Sequence, residues 1–169
     1  MKFSRLTVLI VVVIAATACG AHGGAAPTTA TPQPATGDAA TAADPADYTA
    51  LSGGVYFLTP SRNIACGLAP GNTGCQVFHS TAIPPGADCD HRTMPRDELA
   101  KGYYVDDRGG ITPSCFNQGN YNVSADQKVL PYGRSLAAGG TLCVSRADGV
   151  TCTRGEHGFF VSAQGFRQW

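Results

Sequence analysis

The sequence has no surplus of charge of either sign. Its twelve lysines and arginines are matched by twelve aspartates and glutamates, for a formal net charge of +0. Without a basic excess nothing is present to hold a run of phosphates, which argues against nucleic acid as a partner. There is no polybasic segment for anionic lipid either. The longest apolar run, residues 6–16, is about half of the roughly 20 residues that a membrane-spanning helix needs. No Gly-x-Ser-x-Gly elbow occurs to raise a serine nucleophile. No histidine, cysteine and carboxylate spacing matches a known metal-ligand pattern, so no metal and no cofactor is expected. Residues 20–47 contain no aromatic side chain and no apolar period.

What is present begins with Cys19. Lys2 and Arg5 precede the apolar run, and Ala16-Thr17-Ala18 lead into Cys19-Gly20. A charged start, a short apolar core and small residues before the cut describe a bacterial export signal over residues 1–18. A cysteine directly after the small residues resembles a lipobox, so Cys19 is the expected lipidation site. Two or more acyl chains anchor a protein stably, whereas one holds it marginally. Loss of residues 1–18 removes Lys2 and Arg5 and leaves ten basic and twelve acidic side chains, a balance of −2. Residues 19–47 then read as the lipidated cysteine and an Ala/Thr/Pro tether that buries too little surface to offset chain entropy. A flexible tether of that length spans roughly 30 Å.

Residues 48–169 make one domain of ordinary size. It holds six cysteines: Cys66, Cys75, Cys89, Cys115, Cys143 and Cys152. An even set in an exported domain reads as a disulfide framework. Glycine and proline interrupt short segments rich in β-branched and aromatic residues, which predicts a mainly β domain of antiparallel hairpins, a sandwich or a partly open barrel. Strands are expected at residues 55–58, 64–68, 74–78, 141–145, 150–154 and 159–162. Residues 103–106 and 111–116 are expected to form a hairpin across Asp107-Arg108-Gly109-Gly110. One short helix is expected over residues 94–101, capped by Thr93 and stopped by Gly102.

One spacing repeats. Eight residues separate Cys66 from Cys75, and eight separate Cys143 from Cys152. The first interval centres on Pro70-Gly71 and the second on Ala147-Asp148, with Gly149 following; both are turn signals. Cysteines equidistant from a turn lie opposite each other in an antiparallel hairpin, close enough for a cross-strand bridge. Six cysteines permit many other connectivities. If both hairpins are bridged, Cys89 and Cys115 remain for each other.

Several strings together resemble a family. They are Phe57-Leu58-Thr59-Pro60-Ser61-Arg62-Asn63-Ile64-Ala65-Cys66, Leu130-Pro131-Tyr132-Gly133, Cys143-Val144-Ser145, Gly149-Val150-Thr151-Cys152-Thr153 and His157-Gly158-Phe159-Phe160. The chain is similar over residues 55–166 to small exported proteins and lipoproteins of actinobacteria that share a domain of unknown function. The resemblance implies export, a disulfide-rich β fold and the Cys89–Cys115 pairing. It carries over no catalytic residue. Arg62 stands where the family's first motif has glycine, and Glu156 and residues 163–166 also depart from the pattern.

Other constellations are weaker. Glu156 and His157 form an acid–base pair only if both reach one face, and adjacent strand residues do not; a turn entering the last strand is the simpler reading. Asp88, Asp90, His91 and His79 are of metal-ligand type, but Asp88 and Asp90 flank an expected disulfide cysteine, Cys89, and the spacing matches no ligand pattern. Ser61, Ser114 and Ser145 lack any nucleophile context. Tyr103, Tyr104, Tyr121 and Tyr132 suit half-buried sheet positions. The sequence therefore points to a lipid-anchored protein on the extracytoplasmic face of the cell membrane. It is expected to be a non-enzymatic binding module for an envelope protein or cell-wall ligand. Alternative readings are an inhibitor of a secreted hydrolase, with Arg108 on an exposed loop, and a cell-wall hydrolase.

Overall fold

A computed structural model describes residues 39–90 and 93–169. The export signal, Cys19, most of the expected tether and His91 lie outside the described residues. The described chain is a two-sheet β sandwich. Five strands form one antiparallel sheet in the order β2-β3-β4-β5-β6: Val55–Leu58, Ile64–Ala69, Asn72–Val77, Ala100–Val105 and Ile111–Phe116. Six form the other in the order β1-β7-β8-β9-β10-β11: Thr41–Ala42, Arg134–Ala138, Thr141–Arg146, Gly149–Arg154, His157–Val161 and Phe166–Gln168. The mainly β, disulfide-stapled domain expected from the sequence is the fold observed.

The strands follow the two-residue alternation of a pleated sheet. On β3, Ile64, Cys66 and Leu68 enter the space between the sheets, joined by Cys75 and Val77 of β4 and Tyr103 and Val105 of β5. Leu136, Cys143, Val150, Cys152, Phe159, Val161 and Phe166 meet them from the other sheet. Tyr103 is the hub: its ring centroid lies 5.3 Å from that of Phe159 and 6.2 Å from that of Phe166. Its hydroxyl is buried without a hydrogen-bond partner, and burial raises its pKa above the ordinary tyrosine value.

Cys66 faces Cys75 across the β3–β4 hairpin, and Cys143 faces Cys152 across β8–β9, each pair with Cα atoms 4.1 Å apart. The equal spacings about the turns therefore correspond to true opposite positions, and Gly71 in the first turn has φ +68°. The third pair is Cys89–Cys115, with Cα atoms 5.2 Å apart. The two hairpin bridges meet in the middle of the core, where Cys75 Sγ lies 3.6 Å from Cys152 Sγ. Each sheet thus contributes one disulfide to a central sulfur contact.

The outer face of the five-stranded sheet is covered by residues 117–130. Tyr121 is fully buried there and lies edge-on to Phe116. It rests on a floor of glycine: a Cβ at Gly67 would stand 2.9 Å from its Cδ1, and one at Gly74 would stand 2.3 Å from its hydroxyl. The Tyr121 hydroxyl donates toward the carbonyls of Thr73 and Tyr103, at 3.3 and 3.4 Å. Gln127 ties the segment down, accepting from Val123 N and donating to Tyr121 O at 2.9 Å each. Tyr121 was expected as a sheet residue; it is instead the anchor of a covering loop.

Three sequence expectations change. The helix over residues 94–101 is absent. Arg96–Glu98 form a turn closed by Glu98 N donating to Pro95 O at 3.1 Å, and Ala100 already belongs to β5. A helix of two turns is marginal by itself, and here its last two residues join the sheet instead, Ala100 pairing with β6 and Lys101 with both β4 and β6. Gly102 is a mid-strand residue whose missing side chain lets β4 approach, not a helix stop. The tether boundary at residue 47 also moves. Thr41–Ala42 pair in parallel with β7, and Pro45–Tyr48 form a 3-10 turn capped by Asp44. An edge strand of this kind is held by backbone groups, Thr41 N to Gly133 O and Ala43 N to Ser135 O at 3.0 and 2.7 Å, so side-chain composition gives no signal. Strands β7 and β11 were not anticipated, because Ser135-Leu136-Ala137-Ala138 lacks β-branched residues and β11 is only three residues long.

Arg62, in the β2–β3 turn, has φ +57° and is the one non-glycine residue at positive φ among the described residues. The left-handed region costs a residue with a Cβ about 1–2 kcal/mol, so glycine is the residue this position favours. Arg62→Gly is expected to stabilise the domain by about 0.5–1 kcal/mol, part of the gain being offset by the freer unfolded chain. A thermal melt should rise by a few degrees; a fall would show that the Arg62 side chain contributes more than its backbone strain costs.

Candidate functional site

The best-built surface feature is the loop joining β5 to β6, residues 106–110. Asp106 Oδ1 accepts from the N–H groups of Arg108 and Gly110, at 2.8 Å each. The backbone closes the same turn twice, with Asp106 N donating to Gly110 O and Gly109 N donating to Asp106 O, both at 3.0 Å. Two outside contacts hold Asp107. Its carbonyl accepts from Arg154 Nη2 at 3.3 Å, and its carboxylate accepts from Gly71 N at 3.4 Å. Asp106 is therefore a structural acceptor, spent on the loop. Arg108 is left exposed at the tip of a pinned turn.

Facing this loop are the start of β10 and the end of β11. Trp169 extends the β10–β11 pairing by exchanging backbone hydrogen bonds with Gly158, at 2.9 and 3.1 Å. Its indole covers Gly158, where a Cβ would stand 2.5 Å from Cζ2. Glycine at 158 is thus what lets the indole lie flat, with 53% of Trp169 exposed. Next to it Arg167 lies over the Phe160 ring, its guanidinium carbon 4.7 Å from the centroid. Between loop and strands runs an open groove of about 590 Å³ lined by Asp106, Arg108, Ile111, His157, Gln168 and Trp169. It combines one free guanidinium, one imidazole and one exposed indole. That set suits recognition by charge and stacking.

The other residues singled out in the sequence do not converge. Glu156 lies in the two-residue turn before β10, and His157 is the first residue of that strand; both are exposed. Ser61 Oγ is 3.0 Å from Thr59 Oγ1 and accepts from Asn63 N, an arrangement that shapes the β2–β3 turn. Ser145 is buried with its hydroxyl unpartnered. Among the described residues, Ser61, Ser114 and Ser145 hydrogen-bond no histidine. Asp88 Oδ1 accepts from Asp90 N at 3.0 Å, and the Asp90 carboxylate pairs with Arg96, raising the Arg96 pKa. His79 is exposed; its backbone exchanges hydrogen bonds with the Asn63 side chain at 2.8 and 3.0 Å. Among the described residues, histidine, cysteine and carboxylate groups gather in threes only at Cys66, Cys75 and Cys152, and those sulfurs are spent in disulfides. Of the four tyrosines, Tyr103 and Tyr121 are core residues, and Tyr104 and Tyr132 are exposed.

Sequence reasoning found the Arg108 loop but missed Trp169 as a site residue. An indole laid over a glycine on the neighbouring strand leaves no motif, because the two positions are eleven residues apart and linked only by strand register. No protein-family model, no curated protein and no solved structure matches the chain.

Proposed function

We propose that this chain is an exported protein, anchored to the extracytoplasmic face of the membrane by lipid on Cys19, whose β sandwich acts as a non-enzymatic binding module of the cell envelope. The observation that carries this reading is the groove between the pinned loop 106–110 and Trp169. A rigid loop loses little entropy on binding, and Arg and Trp are the residue types that most often dominate the energy of an interface. The lipobox, and the resemblance to exported actinobacterial lipoproteins, support the location.

The test keeps the natural anchor. Proximity labelling on intact cells should mark a defined set of envelope neighbours with the wild-type chain. Arg108→Ala and Trp169→Ala should each remove the same neighbours while leaving the melting temperature within a few degrees. Labelling unchanged by both substitutions would place the binding surface elsewhere.

One observation favours a second reading, inhibition of a secreted hydrolase: Arg108 is exposed at the tip of a hairpin whose β6 strand carries the Cys89–Cys115 bridge. Trypsin, which takes arginine, is a direct probe. An inhibitory loop would slow trypsin and survive with the Arg108–Gly109 bond intact, and Arg108→Ala would abolish the effect. Rapid cleavage at Arg108, or indifference of trypsin, would remove this reading and leave the binding module standing.

A further inference from the structure

The other end of the sandwich holds a buried cation without an acidic partner among the described residues. Lys101 is the second residue of β5, paired with Val77 of β4 and Cys115 of β6. Val77, Tyr103 and Val105 belong to the core between the sheets, and Lys101 shares their face by the two-residue alternation. It is only 2% exposed. Its Nζ donates to one acceptor, the carbonyl of Leu99, at 2.9 Å. Among the described residues, the one ion pair is Arg96 with Asp90. An ammonium has three donors, and burying a charge is costly unless it is paired and hydrogen-bonded. Apolar burial alone does not account for a lysine here.

Lys101 borders a space that supplies room for the missing partner. Lys101 lines an open cavity of about 650 Å³ together with His79, Ile83, Arg96, Asp97, Ala163 and Gln164. The cavity lies between the five-stranded sheet and the turn after β10. That turn is fixed by Ser162, whose hydroxyl accepts from Gln164 N and Gly165 N at 3.2 and 3.0 Å. The wall also includes the apolar surfaces of Ile83 and Ala163. From these features we infer that the Lys101 end of the sandwich is a binding site for a small monoanionic carboxylate carrying a short apolar body. The carboxylate accepts the two free Lys101 donors, and the apolar body rests on Ile83 and Ala163. Asp97 in the wall opposes a second negative charge, and Arg96 beside it is already paired with Asp90, so a monocarboxylate fits better than inorganic phosphate. Lys101 sits at the opposite end of β5 from Asp106, so the site is independent of the Arg108–Trp169 groove.

Hexanoate, hexanamide and inorganic phosphate are the probes, titrated into the purified full chain and followed by amide chemical shifts. Hexanoate should give saturable shifts centred on His79, Lys101 and Ala163. Hexanamide, its neutral analogue, should bind at least about tenfold more weakly, because it cannot pair with the ammonium, and phosphate should not saturate. K101M keeps the unbranched chain to within one atom of its length and removes the charge. It should weaken hexanoate by at least about tenfold while the protein melts at the same temperature or higher, since an apolar replacement of a buried charge is often neutral or stabilising. If K101M does not fold, K101Q tests the same loss of affinity. Hexanoate that fails to saturate in the millimolar range, equal affinity for hexanoate and hexanamide, or retention of hexanoate by a folded Lys101 variant would each overturn the site.

Discussion

Gly102→Ala is expected to be the most damaging single methyl in the domain. Gly102 lies in the middle of β5, opposite Gln76 on one side and Ser114 on the other. A Cβ there would stand 2.0 Å from the carbonyl oxygen of Cys75 and 3.1 Å from the Cα of Gln76. The obstructing atoms are backbone of the neighbouring strand, so no side chain can rotate away. Relief requires β4 and β5 to separate, which breaks their ladder and disturbs Cys75 at the centre of the core. We expect a loss of more than about 3 kcal/mol, or no folded protein at all. Urea titration or yield of soluble protein would read it. Gly53→Ala is the control: its Cβ would meet nothing within 4 Å and its φ is +78°, so it should cost only about 1 kcal/mol. Equal, small losses at both positions would mean that β4 and β5 are not packed as closely as described.

The second large effect is expected at the stacked bridges. Replacing Cys66 and Cys75 together by alanine releases a loop of sequence separation 9, and replacing Cys89 and Cys115 releases one of separation 26. Chain entropy alone favours the longer loop by about 1 kcal/mol, on losses of about 3 kcal/mol each. The surroundings oppose that ranking. Cys66 and Cys75 are fully buried and one of their sulfurs touches Cys152, so alanines leave a void in the core between the sheets, adding about 1 kcal/mol or more. Cys89 and Cys115 sit in a small satellite cluster with Leu99, bordered by the partly buried Ala87 and Met94. The Cys66/Cys75 variant should therefore lose at least as much stability as the Cys89/Cys115 variant, despite its shorter loop. Urea-derived free energies of the two double variants decide the point. A Cys89/Cys115 variant that is weaker by a full 1 kcal/mol would show that loop length alone governs.

The hairpins were legible in the sequence because their signals are local. Turn residues centred between equally spaced cysteines specify register, and a slip of one residue would send the cysteines to the other face. The choice among sandwich, barrel and separate hairpins was not legible. It depends on which inward faces meet, and Val77, Tyr103 and Phe159 carry no mark of their partners. Residues 94–101 misled for a related reason: Thr93, a short polar-apolar stretch and Gly102 satisfy the local rules for a helix, and sheet pairing overrides them. Tyr121 and its floor of Gly67 and Gly74 were invisible because the fit joins a loop to two strands through the absence of side chains. The same holds for Trp169 on Gly158. Of the candidate site, the Arg108 loop was readable from its turn residues, whereas the indole that completes the groove was not.

The placement of the bridges has a consequence for how the molecule is tied together. Cys66–Cys75 and Cys89–Cys115 both close within residues 66–115, and Cys143–Cys152 closes within the last strands. No sulfur bond crosses from one group to the other, although Cys75 and Cys152 touch. Viewed as a covalent graph, the domain is three closed loops joined by two single stretches of main chain, residues 76–88 and 116–142. A cut in the longer stretch would leave the halves held by noncovalent contacts of the core, among them Tyr103 on Phe159 and the sulfur contact. The segment that drapes Tyr121 over the glycine floor is therefore also part of the longer of the two stretches where the continuity of the domain hangs on one uninterrupted backbone.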